Sequence, residues 1–457
     1  MTYSSAATLD PSLDPTDDSA EIPPHPQREG GDEHSDQPQP SSGAYLWLLL
    51  FFVVYCARPE DWIPGLTIIP LAKIAGIFCA LSFVISIPQL RRSLPRETIY
   101  LALLMFQLWL TVPLSPVWKG GAFDTMLDFS KVLLIVLVMG VAVTTMTRLR
   151  RLIFVQTASV VAIAAVTLTR KELSMGRLVG AVHGIYENSN ELALIAVLTL
   201  PFCFAFLLRT KNWLRKALWG TAAMLLVYST MLTGSRGGLL ALLAGGGVAV
   251  LEFGIRGRRI ALVMVAGGLG VLLILFAGDT VKDRFQEMFN DQPSSEAGRA
   301  AYGSAMQRQE LFWKAIAVTA EHPLFGVGPG NFNSISGMWH DQHNTYTQMS
   351  SEGGVPAFIL YLLFIWSALR NLKNTNRLAP LNSDERLFAM ALRASFGGFL
   401  VGSFFTASAY HFFPYFMVAY STALVAIAQT KYGNADAPET SNDFSPDYAT
   451  APALPAR

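Results

Sequence analysis

The stretch EHPLFGVGPGNF, residues 321–332, is followed closely by HDQHNTYTQMSSEGG, residues 340–354, in a chain that is otherwise mostly apolar. Both are polar, glycine-rich and histidine-bearing, and they lead directly into a long apolar run. Polar side chains at the mouth of such a run are costly in a bilayer and are usually retained for function. The boundary implies membrane-crossing helices that carry polar motifs at their ends.

The rest of the composition agrees. Of the 457 residues, 52% are hydrophobic and only 15% are charged, outside the usual range of soluble domains. About twelve runs have the ~20-residue length a bilayer needs. They fall near residues 44–57, 66–90, 98–118, 128–147, 151–169, 190–208, 216–233, 237–252, 260–277, 344–369, 387–407 and 411–430. The predicted fold class is all-α and polytopic, with residues 44–430 as one transmembrane domain. Residues 1–43 and 431–457 are rich in Pro, Ser and Asp, cannot bury enough apolar surface to order themselves, and read as disordered tails. No basic segment closely precedes the first apolar run, which favours a retained helix over a cleaved leader.

Charge placement orients the chain. With a cytoplasmic N-terminus, the inner loops hold Arg91, Arg92 and Arg96; Arg148, Arg150 and Arg151; Arg209, Lys211, Arg215 and Lys216; Arg256, Arg258 and Arg259; and Arg370, Lys373, Arg377 and Arg386. The short outer loops hold only Arg58, Lys119, Arg170, Lys171, Arg177 and Arg236. That bias follows the positive-inside rule and puts both termini in the cytoplasm. The net charge of +1 gives no sign of a nucleic-acid partner. Cys56, Cys79 and Cys203 lie in apolar runs without metal-ligand spacing and read as small hydrophobes.

Every polar motif then falls on the outer face: RPEDWIP (58–64), GRLVGAVHGIYENSNELA (176–193), TGSRGG (233–238), and one large loop, 278–342. Within that loop, residues 297–320 have an amphipathic pattern. Met306, Leu311, Phe312, Ala315 and Ile316 share an apolar stripe, Arg299 and Arg308 fall elsewhere, and the helix is expected to lie along the membrane surface.

Individual residues carry competing readings. Arg236, in a tight glycine-rich turn, either snorkels to the headgroups or faces an anion inside the bundle. Arg308 gains weight only in company with Arg236, and Lys73 and Lys131 either snorkel or add to a positive outer pocket. His343 either satisfies a helix end or takes a proton from a hydroxyl. His340, Asp341 and His343 have metal-ligand types but not a standard zinc spacing, so the metal assignment is none. Glu60 and Asp61 are a carboxylate pair or, preferably, part of an interfacial turn with an internal ion pair. Asn188, Ser189 and Asn190 look like a helix cap, with sugar contact as the minor reading.

Taken in order, SRGG at 235–238, Arg308 with Trp313 after it, HPLFGVGPGNF and HNTYTQMSSEGG resemble the O-antigen ligase and polymerase superfamily of bacterial membrane glycosyltransferases. GIYENSNELA resembles that family's paired-asparagine segment, with a serine where the family often has proline. The resemblance covers about residues 44–430 in layout. It implies a C-type glycosyltransferase-like fold with a large periplasmic loop, in the inner membrane of a bacterium. The implied glycan donor is carried on undecaprenyl pyrophosphate, and the acceptor is another glycan, lipid A-core or a protein hydroxyl. No cofactor is implied. His343 would be the catalytic base, and Arg236, Arg308 and Arg177 would bind the pyrophosphate. Asn344, Glu352 and Asn190 would be acceptor or sugar contacts. A small-solute transporter and a non-catalytic subunit of an envelope-polysaccharide assembly are the alternatives, although neither internal repeats nor mid-bilayer charges speak for transport.

Overall fold

The computed structural model describes residues 42–433 except 64, 87–93, 171–172, 175–176, 181, 183, 258, 260–295 and 338–341. The described residues are almost wholly helical. In chain order the helices are α1 (Ser42–Ala57), the single turn α2 (Pro59–Trp62), α3 (Leu71–Ser86), α4 (Arg96–Leu114), α5 (Lys119–Ala142) and α6 (Met146–Arg170). A two-stranded ribbon follows, with β1 (Leu173–Ser174) antiparallel to β2 (Arg177–Leu178). Then come α7 (Ser189–Arg209), α8 (Trp213–Leu232), α9 (Arg236–Ala249, continued by a π-helical turn to Arg256), α10 (Glu296–Glu321), α11 (Phe332–Ser336), α12 (Thr345–Leu378), α13 (Asp384–Gly402) and α14 (Phe412–Tyr432).

Among the described residues, seven helices are long and apolar enough to cross a membrane: α4, α5, α6, α7, α9 with its π-helical extension, α12 and α14. Helices α1 and α3 are apolar but shorter, and α8 and α13 coincide with two more of the runs read from the sequence. The run 260–277 and the tail residues 1–41 and 434–457 lie outside the described residues.

Small residues set the closest helix contacts. A methyl group on Gly402 of α13 would meet Leu194 of α7 at 2.4 Å and Ala241 of α9 at 3.1 Å, and one on Gly245 of α9 would meet the Ala394 carbonyl of α13 at 3.2 Å. Such approach is how helices associate where lipid is the solvent, since burying apolar surface from lipid gains little. Hydrogen bonds add specificity: the Tyr420 hydroxyl donates to Gln156 at 2.5 Å, and the Ser395 hydroxyl to the Leu198 carbonyl at 2.7 Å.

The connections gather into two ends of different character. At one end, Arg150 of α6 and Arg209 of α7 each reach Asp384 at 2.7 Å, and Lys431 of α14 reaches Glu385 at 3.1 Å. The other end is built from hydroxyls, amides and glycines. There the Tyr186 hydroxyl donates to the Cys56 carbonyl, Arg177 to the Thr233 carbonyl, and Tyr410 to Glu352.

The amphipathic helix is present as α10, and the expected apolar stripe divides between its two sides. Leu311, Ala315 and Val318 are buried against Val327 and Phe332, whereas Met306 and Ile316 are exposed at 52% and 41%. Spacing of three and four residues puts Arg308 on the buried stripe. Arg299 is exposed, as expected. Helix α10 has apolar residues on both sides, so periodicity alone does not separate the side packed on protein from the exposed one.

Candidate active site

The two glycine-rich motifs lock into each other. Helix α12 breaks at Gly354, where φ is 79° and ψ 174°, and Pro356 follows. In an unbroken helix the carbonyls of Ser351 and Glu352 would accept from residues 355 and 356, but the second of these is proline and has no N–H. Instead Val327 N–H donates to the Ser351 carbonyl and Gly328 N–H to the Glu352 carbonyl, both at 2.9 Å. Val355 N–H turns outward to the Pro323 carbonyl at 2.8 Å. The loop thus pairs these three groups, and Gln107 of α4 donates to the Gly353 carbonyl at 3.2 Å, which is what makes a broken helix tolerable in a bilayer.

Two glycines permit the fit. Gly326 (φ 61°) and Gly354 (φ 79°) are left-handed, and a methyl group on either would meet the partner segment's backbone at 2.5 Å. Gly326→Ala and Gly354→Ala are each expected to cost about 1–2 kcal/mol from the dihedral alone, with the clash added. The check is a clear fall in apparent Tm in detergent; an unchanged Tm would mean that the loop is not seated in the break.

Side chains brace this junction. The Asn331 amide donates to Ser115 Oγ at 2.9 Å and to the Trp118 carbonyl at 3.0 Å, tying the loop to the α4–α5 connection. Gln107 of α4 donates to the Leu324 carbonyl at 2.8 Å. Glu352 is 3% exposed, and its Oε2 accepts from Gly330 N–H at 3.0 Å and from the Tyr410 hydroxyl at 2.7 Å. Burial, and then the charge of Glu352, hold the Tyr410 phenol well above its ordinary pKa, so it stays a hydrogen-bond donor.

His343 stands just before α12 with φ 48°, one of two non-glycine residues with positive φ among those described. Its neighbours are fixed. Asn344 caps α12, its Oδ1 accepting from Tyr346 N–H at 2.9 Å and Thr347 N–H at 3.1 Å. Thr345 N–H donates to the Ser403 carbonyl, and its hydroxyl to the Thr406 carbonyl, both at 2.8 Å. The imidazole is therefore presented from a strained point on a firmly held backbone.

Arg236 opens α9, directly after Ser235, whose Oγ caps the helix by accepting from Gly238 N–H at 3.0 Å. A side chain on Gly237 would strike Phe405 at 2.2 Å, so the start of α9 lies against the same α13–α14 connection that receives Thr345. Arg308 reaches this region from α10, which packs on α12 through a 3.0 Å contact between the hydroxyls of Thr319 and Ser350. Its Nε is buried without a hydrogen-bond partner. Burial, and next the charge of Arg236, lower its pKa. Two guanidinium groups that feel each other beside a helix N-terminus have a chemistry suited to an anion.

Arg177 is held differently. Its Nε donates to the Thr233 carbonyl and its Nη2 to Asn190 Oδ1, both at 2.9 Å, and Ser235 Oγ donates to the same Asn190 oxygen at 2.8 Å. It braces the turn that presents Arg236. Asn188 caps α7 through Asn190 N–H, as the sequence implied.

The matching O-antigen ligase family model covers residues 221–362. Over this segment the chain is similar to that family. It has no match among curated proteins. The O-antigen ligase segment contains Arg236, Arg308, His343 and Glu352, whereas Arg177 and Asn190 lie ahead of it.

Other residues resolve into local roles. Arg58 pairs with Asp61 at 2.6 Å and the Trp62 indole donates to the Ala57 carbonyl at 2.7 Å, so RPEDW is a turn with the expected internal ion pair. Lys131 pairs with Asp128 one turn earlier on an exposed face, and Lys73 is exposed. Among the described residues no three His, Cys, Asp or Glu side chains come together, and His340 and Asp341 lie outside them. Sequence reading missed Gln342, Tyr410 and Ser115. No periodicity or motif distinguishes them, because their partners are distant in the chain.

Proposed function

We propose that this O-antigen-ligase-type protein moves a glycan from undecaprenyl pyrophosphate to an acceptor hydroxyl at the periplasmic face of the inner membrane. The observation that carries the proposal is the pairing of Arg308, with its buried and unpartnered Nε, with Arg236 at the N-terminus of α9. Two adjacent cations in a partly desolvated place repel each other until an anion arrives, and a diphosphate offers the planar oxygen sets that guanidinium binds.

The chemistry follows. The acceptor oxygen attacks the anomeric carbon, its proton passes to His343, and the bond from that carbon to the pyrophosphate oxygen breaks. The electron pair leaves with the pyrophosphate, where Arg236 and Arg308 meet the growing charge. The exposed apolar residues Tyr302, Met306, Trp313 and Ile316 of α10 suit contact with membrane lipid beside the site. The contrast between the two ends of the bundle supports this orientation: the arginine- and lysine-rich end suits the cytoplasm and the glycine- and amide-rich end the periplasm.

Purified protein in vesicles, supplied with lipid-linked glycan and an acceptor glycan, is expected to release undecaprenyl pyrophosphate in step with product. Uptake of a small solute without glycan transfer would overturn the reading in favour of a transporter.

A further inference from the structure

His343 keeps its left-handed backbone although the strain is of order 1 kcal/mol. Such a conformation persists only where its surroundings hold it. On its C-terminal side the helix cap does so. On its N-terminal side stands Gln342, 2% exposed, which is neither in a helix nor part of the expected chemistry.

The amide of Gln342 uses both of its ends. Its Oε1 accepts from Ser351 Oγ at 3.1 Å, and its Nε2 donates to Glu352 Oε1 at 3.4 Å. The other oxygen of Glu352 takes Gly330 N–H and the Tyr410 hydroxyl. A continuous chain of hydrogen bonds therefore runs from the glycine loop and the α13–α14 connection, through one carboxylate and one amide, to the residue next to His343. The same connection carries Phe405, which abuts Gly237 beside Arg236.

We infer that Gln342 and Glu352 are positioning residues that fix the imidazole of His343 relative to the arginine pair. This rests on the reading of His343 as the base. The amide suits this place because its N–H donates to a carboxylate while its oxygen shares the Ser351 hydroxyl proton with the Thr347 carbonyl, which lies at 2.7 Å, and an amide supplies both a donor and an acceptor. Glutamate at 342 would face Glu352 with like charge. Exchanging the two, so that 342 carries the carboxylate and 352 the amide, keeps one of each and leaves acceptors for Ser351, Tyr410 and Gly330.

The test uses full-length protein in lipid nanodiscs, with undecaprenyl-pyrophosphate-linked glycan and acceptor, and reads kcat and KM for the glycan donor. Gln342→Leu is expected to lower kcat about 100-fold, the scale of a misplaced catalytic group, with KM little changed. Gln342→Glu is expected to be at least as damaging. The double variant Gln342→Glu with Glu352→Gln is expected to recover at least about tenfold over Gln342→Glu, which a merely structural loss would not allow. Full kcat in Gln342→Leu while His343→Ala is inactive would overturn the inference and leave the base in place. A double variant no better than Gln342→Glu would also overturn it. Activity in His343→Ala would remove the base and this inference together.

Discussion

Replacing His343 by alanine is expected to reduce glycan transfer by about 1,000-fold or more, within the range that a positioned base contributes. The protein should still reach the membrane in normal amount, because the two residues that follow hold this segment themselves. Asn344 caps α12 through its own side chain, and Thr345 docks on Ser403 and Thr406 through backbone and hydroxyl bonds that the substitution leaves alone. KM for the glycan donor should change little, since the imidazole acts on the acceptor hydroxyl. Transfer near the wild-type rate would remove His343 from the mechanism whatever else the site does.

The arginine pair should respond in the opposite sense on two scales. Arg308→Met is expected to lower kcat/KM about 100- to 1,000-fold, comparable to removing a group that stabilises a developing anion. Yet the same variant should be no less stable in detergent without substrate, and somewhat more stable, because it removes one of two mutually repelling cations whose Nε is buried and unpartnered. Arg236→Lys should lose nearly as much activity as Arg236→Ala, because an ammonium cannot form the two-pronged contact with phosphate oxygens. If Arg308→Met lost stability and activity together, the guanidinium would be a structural support.

The membrane helices were legible because long apolar runs leave few other structures open in lipid, and α4, α6, α7 and α14 fall close to the runs that foretold them. The local cap at Asn188 was legible for the same reason: its signal lies within a few residues of its effect. The break in α12 was not. Gly353, Gly354 and Pro356 hint at it, but its geometry depends on N–H groups from Val327 and Gly328, far back in the chain. The two apolar sides of α10 were not separable by hydrophobic patterning. Where lipid and protein are both apolar, a stripe of Met306 and Ile316 says nothing about which way it points, and the buried stripe carries Arg308. Arg177 was legible as a cation in the right region, but its ties to Asn190 and Thr233 required the folded ribbon. His343 stood out for its residue type, while the tether that aims it, through Gln342, Glu352 and Tyr410, joins three segments with no shared pattern.

The most direct measurement is the affinity of the protein in nanodiscs for undecaprenyl pyrophosphate alone, with no acceptor present. Wild type and His343→Ala are expected to bind alike, and Arg236→Lys and Arg308→Lys each to bind at least about tenfold more weakly, a loss of ~1.4 kcal/mol. Equal affinity in all four would contradict the claim that these two guanidinium groups hold the diphosphate.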